Sequence, residues 1–226
     1  DGGGLQHTYR GDKLRVRWER PFEKGESRRV AVTYAVRHPR SGLFFSAPTD
    51  AEPDRPWYAA TDHETERARH WLPCVDLPNV RTTLTFHLRA PSRFTILAGG
   101  LLTATDEHDD GTKTAHWHLD ARCPSYLVCF ALGDFTEARD GEFEGIELAY
   151  YAASHHPADR LLRTFGRTRK MLTWMTERLG VPFPFPKYYQ FALPAFGGAM
   201  ENISLVSWDD MFVLDEKLGT EWAWLV

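Results

Sequence analysis

Two hydrophobic periodicities meet near residue 153, and no single kind of element can satisfy both. Upstream, apolar side chains recur at every second residue, the repeat of a strand with one face in a core. "KLRVRWE" sets Leu14, Val16 and Trp18 on one side, and "RRVAVTYAV" does the same with Val30, Val32 and Tyr34. "TTLTFHL" alternates Leu84, Phe86 and Leu88, and Asp109-Asp110-Gly111 is a hairpin turn leading into "TKTAHWHL". "SYLVCFALGDF" is too apolar to alternate and reads as fully buried, and a further strand, "IELAYYA", starts at Ile146. Strands at this spacing with turn residues between them predict an antiparallel sandwich.

Downstream the repeat becomes helical. Between Pro157 and Leu179 the apolar stripe is Leu161, Phe165, Leu172, Met175 and Leu179, with basic residues between. Pro157 suits a first helical turn and Gly180 the position just past the end. Pro182, Pro184 and Pro186 then forbid helix, a short strand runs from Lys187 to Leu193, and another from about Ala199 to Trp208. The closing "EWAWLV" reads as the beginning of a helix. The expected organisation is a mainly β, antiparallel sandwich domain over 1–153, incomplete at its start, followed by an α+β segment over 154–226. No internal repeat or low-complexity tract interrupts it.

Composition narrows the partners. Of the 226 residues 42% are hydrophobic, enough to fill a core, and the net charge of −4 gives no basic footprint for nucleic acid. The longest apolar run, around Tyr126 to Leu132, is far short of a membrane span, so no membrane partner is expected. Cys74, Cys123 and Cys129 have no metal-type spacing. An odd count suits a reducing, cytoplasmic compartment, and all three read as buried thiols, a Cys123–Cys129 bridge being the alternative. No signal-peptide pattern opens the chain, which starts at Asp1 as a processed or truncated end would.

The stretch "PAFGGAMENISLVSW", from Pro194 to Trp208, carries the chemistry. Glycine lets another backbone approach an edge strand closely, and main-chain pairing supplies affinity for an extended peptide. The Glu201 carboxylate favours an ammonium through charge-assisted hydrogen bonds, and Met200 suits an adaptable apolar pocket. A peptide α-amine, with a reference pKa of roughly 7.7–8.0, is held in its charged form by nearby carboxylates. The residues alone leave open an ordinary start of a strand with Glu201 facing water.

Gly198-Ala199-Met200-Glu201-Asn202, preceded by "PKYYQFALPAF", resembles the exopeptidase motif of the aminopeptidase N family of zinc metallopeptidases. "TDHETERARHWLPCVDLP" is similar to a second family segment, with Thr61, Glu64, Ala68, Arg69, Pro73, Cys74, Asp76 and Pro78 in register. Ser125-Tyr126-Leu127 with Gly133-Asp134-Phe135 resembles the last long strand of the family's first domain. The resemblance implies that Glu64 and Glu201 jointly grip the substrate's free amine and that the Gly198-Ala199 backbone pairs with the peptide. It also implies that residues 154–226 begin a thermolysin-like catalytic domain. Asp62 departs from the family, which commonly has Gln there, and this leaves side-chain preference open.

The family's metal site, His-Glu-x-x-His on a helix, is missing. His63-Glu64 is followed by His70, the wrong spacing, and the His155-His156 pair reads as a polar junction. Zinc ligands are therefore expected beyond Val226, and the chain is expected to be a fragment, inactive alone, that holds the substrate-amine half of an active site. Its partners would be a peptide with a free amino terminus and the remainder of the same protein. The reading is part of a zinc aminopeptidase; the alternatives are a non-catalytic scaffold and the family's epoxide-hydrolysing variation.

Overall fold

The computed structural model describes residues 5–11 and 13–215. Its first strands are β1 (Gln6–Arg10), β2 (Lys13–Arg17), β3 (Leu43–Ser46), β4 (Tyr58–Thr61) and β5 (Arg81–Pro91). Next come β6 (Thr95–Ala98), β7 (Leu101–Glu107), β8 (Thr112–Pro124), β9 (Phe130–Gly133), β10 (Phe135–Phe143) and β11 (Ile146–Ala153). Helices α1 (Ala158–Phe165) and α2 (Thr168–Leu179) lead to β12 (Lys187–Leu193), β13 (Ala199–Met200) and β14 (Leu205–Asp209).

Two antiparallel sheets, β3-β4-β9-β6 and β5-β8-β7, bring their apolar faces together. Tyr58, Ala60, Ile96, Ala98 and Phe130 of the first share a core with Phe86, Leu88, Ala115 and Trp117 of the second. The alternation of Leu84, Phe86 and Leu88 thus marks a buried face, and the Asp109–Gly111 turn joins β7 to β8. β9 lies inside its sheet between β4 and β6, which explains why the run around Cys129 is apolar throughout.

A third sheet has the order β10-β11-β12-β14-β13 and mixes directions: β11, β12 and β14 are parallel neighbours, while β10 and β13 run antiparallel. Alternate residues of its strands face two cores. Ala149, Tyr151, Tyr189, Phe191 and Leu193 join the sandwich core, whereas Tyr150, Ala152 and Ala192 pack on Leu161 and Phe165 of α1. Strands from both sides of residue 153 share this sheet, so the change of periodicity falls within it.

The fully buried Lys187 fastens the seam. Its Nζ donates to the Ala98 carbonyl at 2.6 Å and lies over the rings of Trp117 and Tyr189 at 4.2 and 4.5 Å. Burial pushes its pKa down to about 7. Carbonyl and ring faces offset part of the cost of that buried charge.

Several expectations need correction. Val30, Val32 and Tyr34 are exposed and their segment is not a strand, because no described strand lies beside it to complete a ladder. β2 forms but, among the described residues, pairs only with β1, and its Leu14 side is not buried. The long helix is two helices, α1 closing at Gly166 and α2 starting after Arg167. Gly166 lies so close to the Leu162 carbonyl, 2.4 Å from where a Cβ would stand, that only glycine fits. Pro157 and Gly180 do flank the helical stretch, Gly180 in the left-handed conformation, but Met175 and Leu179 of its stripe are exposed. The strand expected from Ala199 to Trp208 is a hairpin, turning where Ser204 adopts φ 62°. Cys74 is exposed rather than buried, while Cys123 and Cys129 are buried and unbridged. The "EWAWLV" segment lies outside the described residues. Among those described, no helix is long and apolar enough to cross a membrane.

Candidate functional site

Where β13 meets the loop after β4, the surface dips into an open groove of about 580 Å³. One wall carries Asp62, Glu64 and Arg67; the other carries Ala195, Phe196, Gly197, Ala199 and Met200. The groove therefore draws together residues from the two segments, 61–78 and 194–208, that the sequence singles out.

The Glu64 wall is built by a buried anchor behind it. The Asp76 carboxylate accepts from the Arg69 amide at 3.1 Å, from Arg69 Nε at 3.0 Å and from the Ser125 hydroxyl at 2.5 Å. Arg69 Nη2 also donates to the Asp76 carbonyl at 2.9 Å. Burial opposes ionisation of Asp76, but the Ser125 hydroxyl and Arg69 outweigh it and hold the carboxyl below its ordinary pKa. Three of the matching residues are thus structural: they fix the turn that presents Glu64. His63 belongs to the same anchor. It is fully buried, stacks on Trp71 and accepts from Trp71 Nε1 at 2.7 Å. Burial pushes its pKa down to about 4, so the ring is neutral at pH 7.

In front of this anchor, Asp62 accepts from the Glu64 amide at 3.3 Å and pairs with Arg67 at 3.2 Å. Arg55, another lining residue, pairs with Glu52 at 3.0 Å. Both nearby guanidiniums are therefore engaged, and the exposed Glu64 carboxylate has no ion pair among the described residues. Asp62, where the family commonly has Gln, has its charge offset within its own wall.

The opposite wall is held by main-chain geometry. β13 is an edge strand of its sheet, joined to β14 through Ala199↔Trp208 and Met200↔Ser207. Gly198 has φ 137°, a conformation only glycine adopts readily, and a Cβ there would meet nothing within 4 Å. Backbone shape requires this glycine, and the space in front of it is open. The Asp209 carboxylate accepts from the Gly197 amide at 2.8 Å, and the Asp209 amide donates to the Gly198 carbonyl at 2.6 Å. Met200 is buried and lines the groove. Asn202 is buried too and serves the turn, donating to the Met200 carbonyl at 3.4 Å and the Ser207 hydroxyl at 3.3 Å. Glu201 is exposed at the start of that turn and is not among the groove's lining residues.

Other participants carry no signal in the sequence. Tyr58 lines the groove and ties its walls together, its hydroxyl donating to the Pro194 carbonyl at 2.8 Å. Ser204 docks the hairpin on the sandwich by accepting from the Gly100 amide at 2.8 Å. Phe44 and Phe196 meet edge to face at the groove.

The residues present do not fit the family's zinc. The chain has no His-Glu-x-x-His, and His63, buried with Nε2 engaged by Trp71, cannot join the exposed His70 around an ion.

Comparison with known proteins gives a consistent neighbourhood. The model of the Peptidase M1 N-terminal domain matches residues 5–127. Rat glutamyl aminopeptidase is 29% identical over 163 residues, 71% of this chain and 17% of that protein. Rat endoplasmic reticulum aminopeptidase 1 is 26% identical over 202 residues, 87% of this chain and 21% of that protein. Aminopeptidase N of Lactobacillus helveticus is 29% identical over 155 residues, 68% of this chain and 18% of that protein. The chain thus spans about a fifth of the length of these relatives.

Proposed function

This chain belongs to the M1 peptidases, whose N-terminal domain it carries, and from that premise we propose that it is the amine-recognising part of a zinc aminopeptidase acting on peptides with a free amino terminus. The observation that supports this reading is the shared groove: the unpaired Glu64 carboxylate faces the same space as the open edge of β13. An extended peptide would pair with Gly198 and Ala199, place its first side chain against Met200, and bring its ammonium to Glu64 and Glu201.

Such an arrangement sets the position of cleavage by length. The α-amine is two bonds from the first carbonyl carbon, so anchoring the amine fixes that carbonyl, and positioning of this kind is worth several kcal/mol of barrier. A zinc aminopeptidase draws its Lewis-acid chemistry from the metal. The residues of this chain bind and orient. Residues 154–226 would form the start of a thermolysin-like catalytic domain.

The test uses the complete protein. Glu64→Ala and Glu201→Ala should each lower kcat/KM about 100-fold, the scale of losing a charge-assisted contact made in the transition state. Zinc content should stay unchanged, and N-acetylated peptides should be poor substrates. Full activity in both variants, or efficient cleavage of blocked peptides, would remove the amine grip. Peptidase activity from these 226 residues alone would overturn the division of labour.

A further inference from the structure

A second cluster of polar side chains lies where β11 and β14 end. After Ala153 the chain turns, the His156 amide donating to the Ala153 carbonyl at 2.9 Å, and two consecutive imidazoles stand with ring centroids 4.0 Å apart. Both address one oxygen: His155 Nε2 is 3.5 Å and His156 Nε2 3.3 Å from Asp210 Oδ2. No two of the three ligand atoms are more than 4.8 Å apart.

We propose that His155, His156 and Asp210 form a binding site for a divalent cation of the zinc class. Two ligands on a tetrahedral ion with bonds of roughly 2.0–2.1 Å stand about 3.3 Å apart, so the carboxylate oxygen already has ligand spacing from both imidazoles. Two imidazole nitrogens and one carboxylate oxygen suit zinc and its neighbours; calcium and magnesium demand more oxygen. Burial and access are both provided. His156 is 7% exposed, whereas His155 is open to solvent and gives the ion a way in. A fourth position remains for water.

The site has a structural consequence. Asp210 follows Asp209, whose carboxylate holds the Gly197 amide and, at 3.0 Å, the Met211 amide. An ion on Asp210 would clamp the end of β11 to the end of β14 and steady the anchor of the glycine loop.

Equilibrium dialysis of the chain against Zn²⁺, read by atomic emission, with Co²⁺ absorption as a second readout, tests the proposal. One equivalent should bind, and His155→Ala and Asp210→Asn should each weaken binding at least tenfold while melting curves show folded protein. His87→Ala, which removes one of an exposed histidine pair with His116 on the three-stranded sheet, should leave binding unchanged. In a longer form holding another metal, the readout is the one-equivalent difference between wild type and His155→Ala. No zinc retained by the wild type, unchanged affinity in both variants, or loss on His87→Ala would each overturn the site.

Discussion

On the Glu64 side of the groove the backbone is pinned by charge: a buried carboxylate gathers an amide, a guanidinium and a hydroxyl. On the Gly198 side it is pinned by conformation, with two glycines at positive φ and the Asp209 carboxylate closing the loop. The first wall resists deformation but depends on ionisation. The second rests on backbone shape as well as on the Asp209 carboxylate, and its glycines tolerate almost no change of residue type. A site built from both can hold one carboxylate steady while leaving an adjacent strand edge bare.

The largest effect is expected from breaking the charged wall. Asp76→Ala leaves Ser125 and the Arg69 amide without their acceptor and should cost about 2–4 kcal/mol in denaturant unfolding. The sign with pH follows from the lowered carboxyl pKa. Stability from Asp76 is present above the unfolded value of about 3.9 and is lost as pH falls through the folded value. Asp76→Asn should therefore flatten the acid limb of the stability curve; an unchanged limb would mean that the anchor is not electrostatic.

Next comes the conformational wall. Gly198→Ala forces a side chain into φ 137°, a strain of about 1–3 kcal/mol. Because nothing crowds the position, the loss should appear as displaced backbone and weakened peptide affinity with Asp76 intact. Wild-type affinity in that variant would show that the loop conformation does not matter to binding.

The smallest effect at pH 7 belongs to the seam behind both walls. Lys187→Met trades a desolvated ammonium for an unpaired Ala98 carbonyl, a change of about 1 kcal/mol in either direction. Its signature is in pH. With a folded pKa lowered to about 7, Lys187 binds fewer protons in the folded than in the unfolded chain as pH rises towards 10.5. Wild type should then gain on the variant by up to about 1.4 kcal/mol per pH unit. A flat difference between the two curves would count against a depressed Lys187.

How far the sequence could be read depended on whether each element's cause was local. The strand from Lys187 to Leu193 is bounded by Pro186 and Pro194, and the Asp109–Gly111 turn carries its own chemistry, so both were legible. Val30, Val32 and Tyr34 alternate just as well, yet a strand also needs a neighbour, which alternation does not reveal. The turn inside "ENIS" was hidden because it relies on Ser204 at φ 62°, sustained by the distant Gly100 amide. Of the residues lining the groove, Glu64, Ala199 and Met200 lie in motifs that the sequence displays, while Tyr58 and Arg67, and Asp209 behind the glycine loop, act through contacts that only folding creates.

The brevity of β13 has a consequence of its own. An uncovered sheet margin normally invites other copies of a protein to add strands and aggregate. Here the margin is two residues long and is cut off by Gly197-Gly198 on one side and a tight turn on the other. A ladder so short gives self-association little to grow from, while the peptide proposed above would need only its first residues to pair there.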